Sequence, residues 1–342
     1  MDETKILHVM ILDKFLAPFI DFVDEHFGRA GHHYVFITSE KYEYGLTPEH
    51  NVEFLHTDED IFITLHSYME MAKKIILHGL WRDKVDVLLY FNQELLKKCY
   101  WIMWGGDFYF PENQTKIRHE VIKNLANCIT LNRYDYRYIQ TIYQAKGVLW
   151  ECAFYPKNLL KENSEFKVNK KLKILVGNSA TPTNRHEEIF KILEPFNKSE
   201  FEIYCPLSYG DKNYANKIIS LGKFIFKDSF FYIDALLSPQ NYLDFLETMD
   251  IAIFNHNRQQ GGGNLISLLG LGKTVYLSKE NNTYNLFKDM NLILYPIKDL
   301  SNGRLKLISE NARLNNISIV KNIYSEKTSA KQWEKIFHDP CY

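Results

Sequence analysis

Between Ile6 and Leu277 the chain repeats one texture: a short apolar run, a polar or glycine-bearing turn, then a segment with apolar residues at helical spacing. The runs are too short to span a membrane and too continuous for strands with one wet face. They read as strands of a parallel sheet covered on both sides by helices. The fold class expected is α/β, with Rossmann-like, doubly wound domains. In the first half the strands fall at 6–12, 34–38, 52–55, 74–78, 99–104, 128–131 and 148–151, with helices over 15–27, 61–72, 116–125 and 134–144. A second series has strands at 172–176, 201–205, 250–254, 274–277 and 292–295, with helices over 186–193, 214–221, 239–248 and 264–271. The 342 residues suit two domains at about 150 residues each. The texture changes near Pro156, where a polar, Lys-rich stretch begins. The expected division is a domain over 1–156, a linker over 157–171, a domain over 172–324 and a terminal helix within 325–342.

Lys plus Arg number 41 and Asp plus Glu 42, a net charge of −1 with no basic stripe, which argues against a nucleic-acid partner. The five cysteines are scattered without a CxxC, as in a reducing compartment, and form neither a zinc module nor a disulfide framework. No metal site or cofactor is expected, because the 12 histidines contain no HxxxH or HExxH pair. The first residues lead into a strand-like run and lack signal-peptide features, so a cytoplasmic location is expected, with any membrane contact peripheral.

The stretch 237–277 is the most informative for chemistry. A short buried strand ends near Asn255, and Gly261, Gly262 and Gly263 then precede a helix opening near Asn264. Glycines admit a close approach to the backbone, and a helix start offers unpaired N–H groups and a positive dipole end to an anion. Arg258 adds a guanidinium upstream. The competing reading is a turn that only permits tight packing. A second turn, Gly177-Asn178-Ser179, follows the first strand of the same half. Two such turns at strand ends of one sheet can converge on a nucleotide diphosphate. Neither matches Walker A or GxGxxG.

In the first half, His78-Gly79 and Trp104-Gly105-Gly106-Asp107-Phe108-Tyr109 both follow strands. Asp107 is placed to act as a general base or to orient a hydroxyl, with aromatics beside it to stack on a sugar. A turn or cap aspartate is the alternative. His78 has the same two readings, and His8, inside the first strand, is a weaker candidate. Asp58-Glu59-Asp60 spells the DxD of some sugar transferases but immediately precedes a helix, so it reads as a helix start.

The set His78-Gly79, 104–109, Gly177-Asn178-Ser179, 206–210 with Tyr209, and Arg258-Gln259-Gln260-Gly261 resembles, in order and spacing, the bacterial TDP-4-acetamido-4,6-dideoxygalactose:lipid II transferases (the TDP-Fuc4NAc transferases of enterobacterial common antigen synthesis). The resemblance runs from about Ile6 to Tyr295. Asn264 stands where that family has a hydroxyl residue, and 12–18 lacks its polar, His-rich character. The resemblance implies a GT-B enzyme, two Rossmann-like domains facing a cleft, with the last helix crossing back to the first domain. It implies a TDP-sugar donor on the second domain, held by Gly177, Asn178, Ser179, Tyr209 and 258–264. The acceptor, a polyprenyl-diphosphate-linked saccharide, would lie on the first domain at Gly79, Trp104, Gly105, Gly106 and Tyr109, with Asp107 or His78 as base if configuration inverts. A lipid-linked acceptor would bring the enzyme to the inner face of the cell inner membrane through the Lys-rich linker or Phe15, Phe19, Phe22 and Phe27, unless those phenylalanines are core. The alternatives are a sugar-nucleotide 2-epimerase of the same architecture, another nucleotide-sugar transferase, and a non-catalytic sugar-binding protein.

Overall fold

The computed structural model describes residues 1–153, 155, 168–302 and 305–340. The chain divides into two compact units, Met1–Pro156 with Tyr324–Tyr342, and Lys157–Ile323. The first holds β1 (Ile6–Met10), β2 (His32–Phe36), β3 (Glu53–Phe54), β4 (Lys74–Leu77), β5 (Cys99–Ile102), β6 (Asn127–Ile129) and β7 (Val148–Trp150). They form one sheet in the order β3-β2-β1-β4-β5-β6-β7, parallel throughout. Helices α1 (Leu16–Phe27), α2 (His66–Met71), α3 (Asp83–Phe91), α4 (Lys116–Asn124) and α5 (Arg133–Ile142) connect them. The strand order reverses between β1 and β4, so the C-terminal ends of these strands are where such a sheet offers a crevice.

The second unit holds β8 (Leu172–Val176), β9 (Phe201–Pro206), β10 (Phe230–Ile233), β11 (Ile251–Phe254), β12 (Thr274–Leu277) and β13 (Tyr295–Pro296), parallel in the order β10-β9-β8-β11-β12-β13. Its helices are α6 (His186–Leu193), α7 (Lys212–Phe226), α8 (Pro239–Glu247), α9 (Gly262–Gly270), α10 (Asn282–Asp289) and α11 (Glu310–Ile323); α12 (Glu326–His338) belongs to the first unit. The expected linker lies mostly outside the described residues.

The expected strand at 292–295 is a correction: only Tyr295–Pro296 pairs with β12. Asn316 of α11 takes the Ile293 backbone instead, accepting its N–H at 2.8 Å and donating to its carbonyl at 2.8 Å. The structure also adds α3, β10, α10 and α11 to the elements read from the sequence. Asp86, in the buried face of α3, breaks the apolar spacing there and is held by Arg118 of α4 at 2.7 Å. Burial pushes the Asp86 carboxyl up to about 6 against the opposing pull of that guanidinium. Asp60 accepts the His56 and Thr57 N–H groups at 2.9 Å while its own N–H donates to the Thr57 hydroxyl, so the DxD triplet opens a helical turn.

Alternation along β1, β2 and β4 sorts the first unit's core into two layers. Leu7, Val9, Val35, Ile75 and Leu77 face one side. Ile6, Met10, Tyr34, Phe36 and Ile76 face the other, against Phe19 and Phe22 of α1 and Trp333, Ile336 and Phe337 of α12. Phe19 and Phe22 are therefore core, which takes them away from a membrane-facing role, and Phe15 and Phe27, partly exposed, pack on the same cluster. Lys74, fully buried, donates to the Ile336 carbonyl and, at 3.2 Å, to the Asp339 carbonyl, neutralising the negative end of α12. Lys74→Met is expected to cost about 2 kcal/mol and to make α12 the first proteolytic site, read by limited trypsinolysis and mass spectrometry.

Candidate functional site

In the second unit the two glycine turns meet. Gly177 follows β8 at φ +68°, and its N–H donates to the Ile253 carbonyl of β11 at 3.0 Å. A Cβ there would overlap the His186 ring and stand 2.7 Å from Asn184 Oδ1, so only glycine fits. Asn184 organises the turn. Its Oδ1 accepts the Asn178 N–H at 2.9 Å and lies 2.9 Å from His256 Nε2, and its Nδ2 donates to Ser179 Oγ at 3.1 Å. An oxygen that accepts a backbone N–H cannot donate, so His256 carries its proton on Nε2. Burial holds the His256 imidazole down at about 3, neutral.

The loop after β11 is tied to the same turn. Gln260 Oε1 accepts from Thr183 Oγ1 at 2.5 Å, and its Nε2 donates to Ser179 Oγ at 3.3 Å. Asn178 Nδ2 donates to the Tyr209 hydroxyl at 2.8 Å, joining the turn after β9. Gly261, at φ +66°, opens α9 directly beside Asn178 and His256. No side chain caps this helix and no acidic residue lies in its first turn. Residues 258–264 are partly exposed; Arg258 Nη1 donates to the Gln259 carbonyl at 2.8 Å, and Asn264 Nδ2 to the Tyr242 hydroxyl at 2.9 Å. The uncapped N–H groups at the start of α9, a guanidinium and three hydroxyl- or amide-bearing turns make an anion site with hydrogen-bonding walls. Asn184, Thr183 and His256 were not singled out as site residues. The signal for them was the polar cluster directly after each buried strand, Asn255-His256-Asn257 above all.

The first unit's strand ends differ from expectation. Asp107 is wholly buried: Oδ2 accepts the Leu80 N–H at 3.1 Å and the Trp101 indole at 2.8 Å, and Oδ1 the Trp104 N–H at 3.1 Å. Burial pushes its carboxyl up, and these donors pull it back. Its acceptor capacity is spent on holding the turn, as in the alternative reading. Phe108 and Tyr109 are also core, with the Tyr109 hydroxyl on Asp135 at 2.6 Å, so neither can stack on a sugar. A Cβ at Gly79 or Gly106 would strike Trp81; these glycines make room for that indole. Gly105, at φ +91°, gives its carbonyl to the Tyr109 N–H at 2.9 Å. Trp104 stays partly exposed and donates to the Tyr155 hydroxyl at 3.2 Å. His78 is buried between His8 and Tyr155. Among the described residues, Glu25, His26 and Glu326 are the one group of three metal-type ligands brought together, and they lie away from these strand ends. No helix among the described residues is long and apolar enough to cross a membrane.

A family model described as "4-alpha-L-fucosyltransferase glycosyl transferase group 56" matches residues 14–339. Solved structures resemble the chain over nearly its whole length. A glycosyltransferase from Rickettsia africae ESF-5 is 11% identical, with a TM-score of 0.69 over 99% of both chains. Anabaena HepE in complex with UDP-glucose is 13% identical, with a TM-score of 0.70 over 97% of this chain and 99% of that one. The lipopolysaccharide outer core galactosyltransferase WaaB is 10% identical, with a TM-score of 0.66 over 97% and 98%. At such identities the likeness establishes the fold, the GT-B pairing of two Rossmann-like units.

Proposed function

The chain belongs to the 4-alpha-L-fucosyltransferase family, glycosyl transferase group 56, and we propose that it moves a 4-acetamido-4,6-dideoxyhexose-type sugar from a TDP-sugar to a polyprenyl-diphosphate-linked saccharide. Membership of a glycosyl transferase family favours transfer over the epimerase alternative. The observation that carries the donor half is the junction in the second unit, where Gln260 and Asn178 tie two strand-end turns to the uncapped start of α9. A diphosphate seated there receives backbone N–H groups and the Arg258 guanidinium, which stabilise the negative charge that builds as the sugar leaves. Tyr209 and Asn264 flank that seat. HepE, of the same fold, is described in complex with UDP-glucose, which supports a nucleotide-sugar donor.

On the acceptor side we assign Asp107 the task of building the turn that presents Trp104, and His78 the handling of the acceptor proton. Gly105 and Gly106 shape that turn, and Gly79, in the turn after β4, makes room beside it for Trp81. A lipid-linked acceptor makes the membrane contact peripheral and places the enzyme at the inner face of the cell inner membrane.

The test is a thermal-shift panel with TDP, UDP, GDP and CDP, in which TDP should raise the melting temperature most. Gly261→Asp is the matching variant. The aspartate side chain puts bulk and negative charge where the diphosphate would sit, at a φ of +66° that strains any side chain, so Gly261→Ala is the control for the backbone alone. Gly261→Asp should bind TDP at least about tenfold more weakly than Gly261→Ala, which carries the same backbone strain without the charge. Unchanged TDP affinity would remove the donor from this turn.

A further inference from the structure

Three histidines stand in line inside the first unit's sheet. His32 opens β2, His8 is the middle residue of β1, and His78 follows β4 directly; by register His32 pairs with Ile6 and His8 with Ile76. All three face the α1 and α12 layer. His32 Nδ1 lies 2.9 Å from His8 Nε2, His8 Nδ1 lies 3.1 Å from His78 Nε2, and His78 Nδ1 lies 3.0 Å from the Tyr155 hydroxyl. His8 is fully buried, edged by Phe19 and Phe337. The line thus runs from the C-terminal edge of the sheet, where Tyr155 and Trp104 lie, to the N-terminal end of β2.

Each nitrogen–nitrogen contact in this line holds one proton. The Trp104 indole can only donate, so the Tyr155 oxygen accepts from it, and the same hydroxyl has a proton to give to His78 Nδ1. His78 then carries its proton on Nε2 and gives it to His8 Nδ1, and His8 Nε2–H gives to His32 Nδ1. This direction satisfies every contact in the line. We propose that Tyr155, His78, His8 and His32 form a proton relay through the sheet, in which His8, a positioning residue, fixes His78 as the Nε2–H tautomer. The proposal rests on the acceptor-side reading above. During transfer the acceptor oxygen bonds to the sugar carbon and the bond from that carbon to the diphosphate oxygen breaks, its electron pair leaving with the diphosphate. The acceptor proton passes to the Tyr155 oxygen, the phenol proton to His78 Nδ1, the His78 proton to His8, the His8 proton to His32, and the His32 Nε2 proton to solvent. Burial keeps all three imidazoles neutral, so each proton that enters pushes another out. The charged or titratable groups bearing on the line are Arg29 and His33 at the His32 end and Asp13 and Asp107 at the Tyr155 end.

Histidine 15N NMR of the full chain tests the relay without any assay of transfer. His8 and His78 should each appear as a single neutral Nε2–H tautomer at pH 7; an Nδ1–H form, an imidazolium or an exchanging mixture at either residue overturns the proposal. His8→Phe should switch His78 to the other tautomer and lower turnover by at least about tenfold with the donor KM unchanged. His8→Gln can accept from His78 and so should restore its tautomer, yet cannot pass a proton, and turnover should stay low. Recovery of turnover in His8→Gln overturns the relay. If His8→Phe does not fold, His32→Phe makes the same break one step further along. Absence of transfer by the unaltered protein with every TDP-sugar and lipid acceptor would instead count against the proposed function, and the NMR result would still decide the tautomers.

Discussion

Replacing Asp107 with asparagine is expected to destabilise the first unit by about 2–4 kcal/mol and to abolish activity through the fold rather than through a missing base. The carboxylate faces three N–H donors and no acceptor. An amide of the same size keeps one oxygen, and wherever its NH2 group points it meets another N–H. Either the Trp104 N–H or the pair from Leu80 and Trp101 is left buried without a partner, and donors bonded to a charged acceptor lose most. Urea titration followed by tryptophan fluorescence reads this directly, because two of the three donors belong to Trp101 and Trp104. A variant with an unchanged urea midpoint and turnover lowered by about a hundredfold or more would return Asp107 to the role of base.

Acidification should have an effect of similar size in both units. His8, His32, His78, His186 and His256 are all buried, and burial lowers each imidazole: to about 3 for His78 and His256, to about 4 for His32 and His186, and well below the ordinary value for His8. The folded values lie below the unfolded value of about 6.5. Unfolding therefore takes up protons once the pH falls under about 6.5. The stability these neutral rings contribute is complete above that pH and is lost as the pH drops toward 4 and then 3. Each histidine is worth about 1.4 kcal/mol per pH unit in this window. Between pH 6.5 and 5 that is at most about 2 kcal/mol apiece, with three of the rings in the first unit and two in the second. Equilibrium unfolding at pH 7.5, 6.5, 5.5 and 5.0 should show a falling midpoint below pH 6.5. A flat midpoint across that range would mean that these rings are charged in the native state or reached by solvent.

The two sheets were legible because their strands announce themselves locally: Lys74–Leu77 or Ile251–Phe254 is an apolar run between polar turns, and such a run has few alternatives. The second unit's glycine turns were legible for the same reason, Gly177 directly after β8 and Gly261 one short polar loop beyond β11. What stayed hidden depends on partners distant in the chain. Asp107 looks the same in sequence whether it faces a crevice or the returning N–H of Leu80, 27 residues away. The His8–His78 contact spans 70 residues and needs the β1–β4 register before it exists. The segment around Leu292 has the hydropathy of a strand, and only the arrival of Asn316 decides that its backbone bonds to a side chain instead.

Synthesis runs from the N-terminus, but the first unit is not contiguous: Trp333, Ile336 and Phe337 complete a core begun at Ile6, and Lys74 stays buried only once it can cap α12. Residues 157–323, which form the second unit without interruption, leave the ribosome whole before those side chains do. The usual order, in which the N-terminal domain is finished first, is thereby inverted. The seven-stranded sheet must wait, with its α12-facing layer uncovered and the Lys74 ammonium uncapped, for as long as residues 157–323 take to be made. A chain cut short after 323 holds a complete second unit attached to an unfinished first one. During that wait the nascent first unit is the part of the molecule most in need of a chaperone.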